Sequence, residues 1–533
     1  MVAIHLCFYS ILRHVAQNHV SSVGLFSVSW FWSFAVINFI NFVPGFHQIF
    51  FSIPTNAFRF LSLTLGGILF YFIDRDRKHF AILTLAAIVM YPITYLISTS
   101  ADDSLGLSTN IGSLHTGKYT YFSEYIKSCM VLPNIRHNTG QSNVSAVLSH
   151  ISGTNSELNL LGTLAFSKVS LATLIYFFSH SYIKLNHRNS LVVMLVTTTG
   201  TFSLSLSYLL LHDSGNPILL NGYSDVIFGI FSLILASLFF VYRESDLSWK
   251  LLYLLVPIQL TLLISSPQIF LLFLILFLML FFKRSFLKFT LINICSVLIA
   301  LLIWRNLTGF LAFGATDSFP FIPKPEFDWI NKELISPGIP YLIGSPGTPW
   351  SEISPLIIDL FKMMLSEADP QRIFWYFEIA IVTTIKVLFW PVLGLLLGLC
   401  VLLSHKYKFL NAFLPAGTPA LKSLAILSTY SFTLLFPVTF LFKVGGMKWE
   451  STRFAFPVYV LLMLLLSLTL LSLSKKSSSA WLLFSVLTIL PTVIYVGLLF
   501  VNAFTGGLIT VATTQFGNFS LFGDTLTIAN CLR

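Results

Sequence analysis

Two adjacent carboxylates, Asp102 and Asp103, are the first residues in this sequence that could act as a catalytic pair. They follow an apolar run that ends near Ile97, so they lie close to its polar end. A carboxylate in this position can deprotonate a hydroxyl group, bind a divalent metal or accept hydrogen bonds from a sugar. An Asp-Asp pair alone is more often a solvated loop charge, so the surrounding segments decide between these interpretations.

A second charged group precedes an apolar run near the C-terminal end of the chain. Lys448, Glu450 and Arg453 stand shortly before Phe454, where this run begins. Arginine stays protonated and can bind two phosphate oxygens at once, which would stabilise a phosphate as a leaving group. The alternative is that these side chains extend to lipid headgroups and act as anchors.

The composition indicates what kind of structure must position these groups. Of the 533 residues, 56% are hydrophobic and 10% are charged, and the mean hydropathy is +0.83. Soluble domains carry about a quarter charged residues, and a chain this apolar does not remain disordered. We therefore expect an all-α fold, a polytopic transmembrane helix bundle.

About thirteen apolar runs have the length that a membrane-spanning helix needs. Their predicted bounds are 22–43, 57–73, 79–98, 159–182, 190–211, 224–242, 250–265, 267–282, 288–304, 375–403, 423–442, 454–474 and 480–503.

Lys and Arg are concentrated in alternate loops between these runs. Because positively charged loops stay on the cytoplasmic side, this pattern predicts a cytoplasmic N-terminus and an outer C-terminal tail. It also accounts for the net charge of +10 without a nucleic-acid partner. Two long polar loops, 99–158 and 305–374, then lie on the outer side, and the expected location is a bacterial cytoplasmic membrane. The basic residues behind this orientation are Arg75, Arg77, Lys78, Lys184, Arg188, Arg243, Lys250, Lys283, Arg284, Lys288, Lys406, Lys408, Lys422, Lys475 and Lys476.

The runs and loops divide the chain into segments with separate expected roles. Residues 1–20 are predicted to be an amphipathic lead-in to an N-terminal part whose role is unassigned. The five cysteines have no CxxC spacing, so we expect neither a disulfide framework nor a metal site from them. The predicted segments are 1–78, a transmembrane core 79–304, the large outer loop 305–374, C-terminal spans 375–503 and an outer tail 504–533.

The residues after the carboxylate pair resemble the first outer loop of the GT-C superfamily of membrane glycosyltransferases. An amphipathic stretch, Leu105 to Leu114, is followed by a Gly-Lys-Tyr-Thr-Tyr turn that contains Lys118 and Tyr119. The resemblance implies a sugar donor linked to polyprenyl phosphate or diphosphate. It implies that Asp102 is the general base and that Asp103 assists it, either by orienting the acceptor or by binding a divalent metal. No other cofactor is expected. The resemblance also implies that Lys118 and Tyr119 bind substrate.

Segments in the middle of the chain match the same superfamily in order. His212 and Asp225 border the polar loop before the sixth run, where the superfamily often has an acidic residue at a helix start. The resemblance implies that both bind substrate, although Asp225 is also a good helix N-cap. Gln268 opens the eighth run where the superfamily has glutamate, and its amide can still hydrogen-bond a substrate. Arg305 closes the ninth run, either as a phosphate contact or as an interfacial anchor.

The segment from Lys448 to Pro457 resembles a late helix start of the superfamily. The resemblance implies that Arg453 and Lys448 bind the donor phosphate and that Glu450 binds substrate. It therefore implies an inverting transfer of a hexose or pentose from a polyprenyl-linked donor to a glycan, lipid or protein acceptor at the outer face.

Two other functions remain open at this point. One is a polymerase or ligase that acts on lipid-linked glycans, which would rely on Arg and His residues in outer loops. The other is a lipid or glycan transporter, which would be expected to show repeat symmetry or charges in the middle of its spans. Lys168 and Lys386 lie in or near predicted spans, and the sequence indicates no partner for either.

Overall fold

The computed structural model describes nine stretches of the chain and a few separate residues. The stretches are 2–16, 22–42, 46–72, 77–99, 140–201, 287–308, 389–403, 456–473 and 478–504, and the separate residues are 256, 259, 322–323, 421–422, 424–429, 432–433 and 442–443.

The described part of the chain is helical apart from one pair of two-residue strands. Its helices are α1 (Val2–Ala16), α2 (Ser22–Phe42), α3 (Phe46–Ser52), α4 (Thr55–Phe72), α5 (Arg77–Thr99), α6 (Gly140–Ser152), α7 (Ser156–Phe177), a π-helix (Phe178–Tyr182), α8 (His187–Thr199), α9 (Leu287–Thr308), α10 (Phe389–Leu403), α11 (Phe456–Leu473) and α12 (Ser478–Phe504). The strands are β1 (Ile322–Pro323) and β2 (Phe442–Lys443), which pair antiparallel. The predicted all-helical class is therefore confirmed for this part.

Most predicted apolar runs that fall in described stretches are helices with nearly the predicted bounds. The matching runs are 22–43, 57–73, 79–98, 159–182, 288–304, 454–474 and 480–503, and the described end of 375–403 is helical too. The runs 224–242 and 267–282 lie outside the described residues, and 250–265 and 423–442 are described only at scattered positions. One described helix, Leu158–Ser181, is long and apolar enough to cross a membrane by length and composition.

The central helix of the described part is α7. It packs against α2, α5, α6 and α8, and 89% of the residues in its most apolar stretch are buried. Polar side chains fix its register against α2: the Trp30 indole donates to Ser167 Oγ at 3.1 Å, and the Ser27 hydroxyl donates to the Ser170 carbonyl at 2.7 Å. A hydrogen bond between two helices inside a dry interior satisfies groups that water would otherwise solvate.

The N-terminal helix α1 is part of the core, which corrects its prediction as a lead-in. Leu6 and Tyr9 are buried in one cluster with Phe26 and Phe80. His5 is also fully buried, and its Nε2 lies 2.8 Å from the Phe26 carbonyl oxygen. The helix is amphipathic as expected, but its apolar face packs against α2 and α4.

The predicted outer loop 99–158 contains a helix, α6, which is a second correction. Its Ser and Asn content suggested a loop, but Val144, Val147 and Leu148 are buried. Ser145, which lies between them, is satisfied by the start of α7, since its hydroxyl donates to the Ser156 carbonyl at 2.5 Å. Serines that bond to backbone can occupy a buried helix face without solvent.

Helices α10 and α11 approach each other closely at two glycines spaced four residues apart. A Cβ added at Gly394 would lie 2.5 Å from the Leu462 carbonyl oxygen, and one added at Gly398 would lie 2.6 Å from Leu465 Cδ2. Such a Gly-x-x-x-Gly face lets two apolar helices come into backbone contact.

We expect Gly394→Ala to destabilise the protein by about 1–3 kcal/mol, because its methyl group would meet backbone that cannot rotate away. Gly497→Ala is the matched control, since an added Cβ there meets nothing within 4 Å. Thermal unfolding of the purified protein in detergent measures both variants. Equal unfolding temperatures for the two variants would contradict the close packing of α10 on α11.

Candidate functional site

Almost all of the predicted site residues lie outside the described part of the chain. Arg305 is the exception: it lies in the last turn of α9, where its backbone is described. The structure therefore brings none of the predicted side chains together, and their roles stay predictions. The residues outside are Asp102, Asp103, Lys118, Tyr119, His212, Asp225, Gln268, Lys448, Glu450 and Arg453.

The strand pair joins two segments that were predicted to lie on the outer side. Ile322 pairs with Lys443 and Pro323 pairs with Phe442. The first strand belongs to the loop 305–374, and the second ends five residues before Lys448. The chain five residues before the predicted phosphate-binding segment is thus paired with the large loop.

A second contact joins the predicted outer end of α4 to the C-terminal end of α6. The Arg59 Nε donates to the Ser152 carbonyl at 2.8 Å, and His150 Nε2 lies 2.9 Å from the Ile53 carbonyl oxygen. Between α6 and α7 the chain turns at Gly153, whose φ of +64° lies in the left-handed region that favours glycine. Segments from two separate outer connections therefore meet at one end of the bundle.

The opposite end of α7 carries a π-helix and a group of polar rings. Tyr176 Oη lies 2.7 Å from His187 Nδ1, and the His180 ring stacks on Tyr176 with centroids 5.6 Å apart. Asn186 caps α8 by accepting from the Asn189 backbone N–H at 2.8 Å. These contacts fix the α7–α8 hairpin at its predicted cytoplasmic end.

The most unusual side chain in the described part is Lys168, at the centre of α7. It is fully buried, and its Nζ has no hydrogen-bond partner among the described residues. Phe166, which packs on Trp30 with ring centroids 5.2 Å apart, defines the face of α7 that meets α2. At 100° per residue, Lys168 projects about 200° away from that face, so it lies on the other side of the helix.

Helix α8 ends in the middle of the predicted run 190–211, which is a third correction. The helix stops at Thr199, and Gly200 is extended, with φ −67° and ψ 136°. The reason is local: three consecutive threonines followed by glycine have low helix propensity.

The backbone groups released at this interruption bond to the last helix. Thr201 N–H donates to the Thr488 carbonyl of α12 at 2.9 Å, and the Thr492 hydroxyl donates to the Thr199 carbonyl at 2.6 Å. A Cβ added at Gly200 would lie 3.2 Å from Met463 Cε of α11. The interruption is therefore buried between α11 and α12.

Lys168 and the interruption lie at about the same height in the bundle. Lys168 precedes the end of the π-helix by fourteen residues, and Gly200 follows the start of α8 by thirteen. At 1.5 Å per residue both are about 20 Å from the hairpin that joins the two helices. A helix that ends at the height of a buried ionisable group is an arrangement found at ligand and ion sites inside membrane bundles.

Sequence reasoning recorded Lys168 but missed the end of α8. The Thr-Thr-Thr-Gly-Thr stretch from Thr197 to Thr201 was the signal that could have revealed it. Among the described residues, no group of three or more His, Cys, Asp or Glu side chains could hold a metal ion.

Comparison of the chain with protein-family models, with curated proteins and with solved structures gives no match.

Proposed function

We propose that the chain is a polytopic integral membrane protein of about thirteen spans. The observation that supports this most directly is the reversed distribution of side chains on the described helices. Phe60 and Leu63 of α4 are 75% and 77% exposed, while Lys168, His5 and Ser27 are fully buried. Apolar side chains that face outward, around an interior that also buries polar side chains, suit a lipid environment, where leucine is well solvated and an unpaired polar group is not.

Within that bundle we propose a glycosyltransferase of the GT-C type. It transfers a hexose or pentose from a polyprenyl-phosphate-linked donor to an acceptor at the outer face, with inversion. Asp102 is the proposed general base and Arg453 the proposed phosphate ligand. The order of the motifs along the sequence carries this proposal, and the pairing of β1 with β2 supports it because it connects the loop 305–374 to the segment before Lys448.

Cysteine labelling tests the orientation on which this function depends. In a variant without the native cysteines, Ser104→Cys and Ser345→Cys should react with a membrane-impermeant maleimide on intact cells. Arg188→Cys, at an exposed position by the α7–α8 hairpin, should react only after permeabilisation. The opposite pattern would overturn the topology and the outer-face enzyme with it.

A transporter for a lipid-linked glycan is the second candidate. The interruption of α8 at Gly200 favours it, because helices broken at mid-depth commonly form the binding site of a transporter. One assay distinguishes the glycosyltransferase from the transporter. Purified enzyme should transfer sugar in detergent, where a transporter has no gradient to act on and shows no chemistry.

A further inference from the structure

A buried lysine without a partner is costly, so Lys168 needs a physical account. An ammonium group taken out of water loses several kcal/mol unless an anion and hydrogen bonds replace its solvation. The described part of the chain contains one acidic residue, Glu157, which lies eleven residues away along α7. That spacing corresponds to about 16 Å along the helix axis, which is beyond the reach of an ion pair.

The predicted spans do not supply a carboxylate at this height either. Asp225 and Glu378 are the acidic residues within the thirteen predicted spans, and each lies within the first four residues of its run. Both runs start on the outer side in the predicted topology. Lys168 lies twelve residues below the start of α7, so neither the described part of the chain nor the predicted spans place a carboxylate at its height.

A second unsatisfied polar group lies at a height in the bundle similar to that of Lys168. The Thr197 hydroxyl on α8 is fully buried and has no hydrogen-bond partner among the described residues. It lies one turn before the interruption at Gly200, on a helix that packs against α7. An ammonium and a hydroxyl are the groups that bind an oxyanion, one by charge and one by donating a hydrogen bond.

We propose that Lys168 binds the phosphate of an amphiphilic ligand that enters the bundle at mid-height. The ligand needs an apolar chain, since burial of that chain offsets the cost of bringing a phosphate away from water. This site is additional to the proposed transfer site at the outer face. It rests on the proposed membrane bundle but not on the identity of the catalytic residues.

The test measures binding of farnesyl phosphate to the full chain in nanodiscs. Lys168→Met keeps the length and apolar stem of the side chain and removes the ammonium group. We expect it to weaken farnesyl phosphate binding by at least about thirtyfold, the lower range for the loss of a buried charge partner. Lys168→Arg should bind with an intermediate affinity because it keeps the charge but not its geometry. Lys78→Met, which removes an exposed lysine from α5, is the matched control and should bind like wild type.

Two further ligands show which part of farnesyl phosphate the protein recognises. Farnesol lacks the phosphate and should bind wild type and Lys168→Met equally, while inorganic phosphate lacks the chain and should bind to neither. The ligand-free Lys168→Met protein should unfold at or above the wild-type temperature, because an unsatisfied amine has been replaced by an apolar group.

Three results would overturn the proposal. The first is an equal affinity of wild type and Lys168→Met for farnesyl phosphate. The second is a lower unfolding temperature of ligand-free Lys168→Met, which would indicate an internal partner. The third is failure of both Lys168→Met and Lys168→Gln to fold. None of these results depends on sugar transfer, so they leave the glycosyltransferase proposal to its own tests.

Discussion

Asp102→Asn should lower sugar transfer by at least about a hundredfold, the lower range for the loss of a positioned general base. The amide keeps the size and hydrogen-bonding shape of the carboxylate but cannot take the proton from the acceptor hydroxyl. Donor affinity should change little, because the proposed donor contacts are at Arg453 and Lys448. The measurement is the rate of transfer from a panel of polyprenyl-phosphate sugars with purified protein.

Three comparisons make the Asp102 result specific. Glu124→Gln removes another acidic group from the same predicted outer loop and should keep the wild-type rate. Asp103→Asn should lower the rate less than Asp102→Asn if Asp103 orients the acceptor. Sensitivity of the wild type to EDTA would assign Asp103 to a metal instead. A wild-type rate in Asp102→Asn at matched protein levels would exclude it as the base.

The sequence predicted the long helices well because their signal is strong. A helix such as α12 needs an uninterrupted apolar stretch, and the bounds 480–503 differ from Ser478–Phe504 by no more than two residues. The long apolar helices thus follow from apolar length alone. The Gly394 and Gly398 spacing in α10 also indicates a packing face in the sequence.

The sequence failed where polar residues are buried. The helix α6 was predicted as part of a loop because a Ser-rich stretch resembles a linker, yet Ser145 and Ser149 lie inside the bundle and bond to Ser156. The helix α1 was judged by its polar residues, yet His5 bonds to the α2 backbone. In each case tertiary hydrogen bonds, which no single segment encodes, made burial of the polar group possible.

The candidate site residues also differ in how much of their role the sequence indicates. Asp102 and Arg453 rest on sequence order, and the described residues do not bear on their geometry. Lys168 was visible in the sequence as a lysine in an apolar run, but such a residue can also extend its ammonium group to the surface. Only its full burial at the centre of α7 distinguishes a site from a snorkelling side chain.

Arg453→Ala should impair both donor binding and the maximal rate of transfer. The guanidinium is proposed to bind the donor phosphate in the ground state and to stabilise the negative charge that grows on it as the sugar leaves. Loss of one buried charged contact of this kind costs about 2–5 kcal/mol, so the maximal rate divided by the apparent donor dissociation constant should fall by more than about thirtyfold. Donor titration at saturating acceptor measures both parameters.

Arg453→Lys and a distant control distinguish this role from membrane anchoring. Lysine keeps the charge but cannot bind two phosphate oxygens in the planar geometry of arginine, so it should restore only part of the lost activity. Arg188→Ala removes an exposed arginine at the predicted cytoplasmic end and should leave both parameters unchanged.

An anchor would behave differently, because Arg453→Ala would then lower protein yield or unfolding temperature while the folded fraction bound donor normally. Equal donor affinity and equal maximal rate in wild type and Arg453→Ala would remove Arg453 from the site, and the proposed phosphate contact would then fall to Lys448 or Arg305.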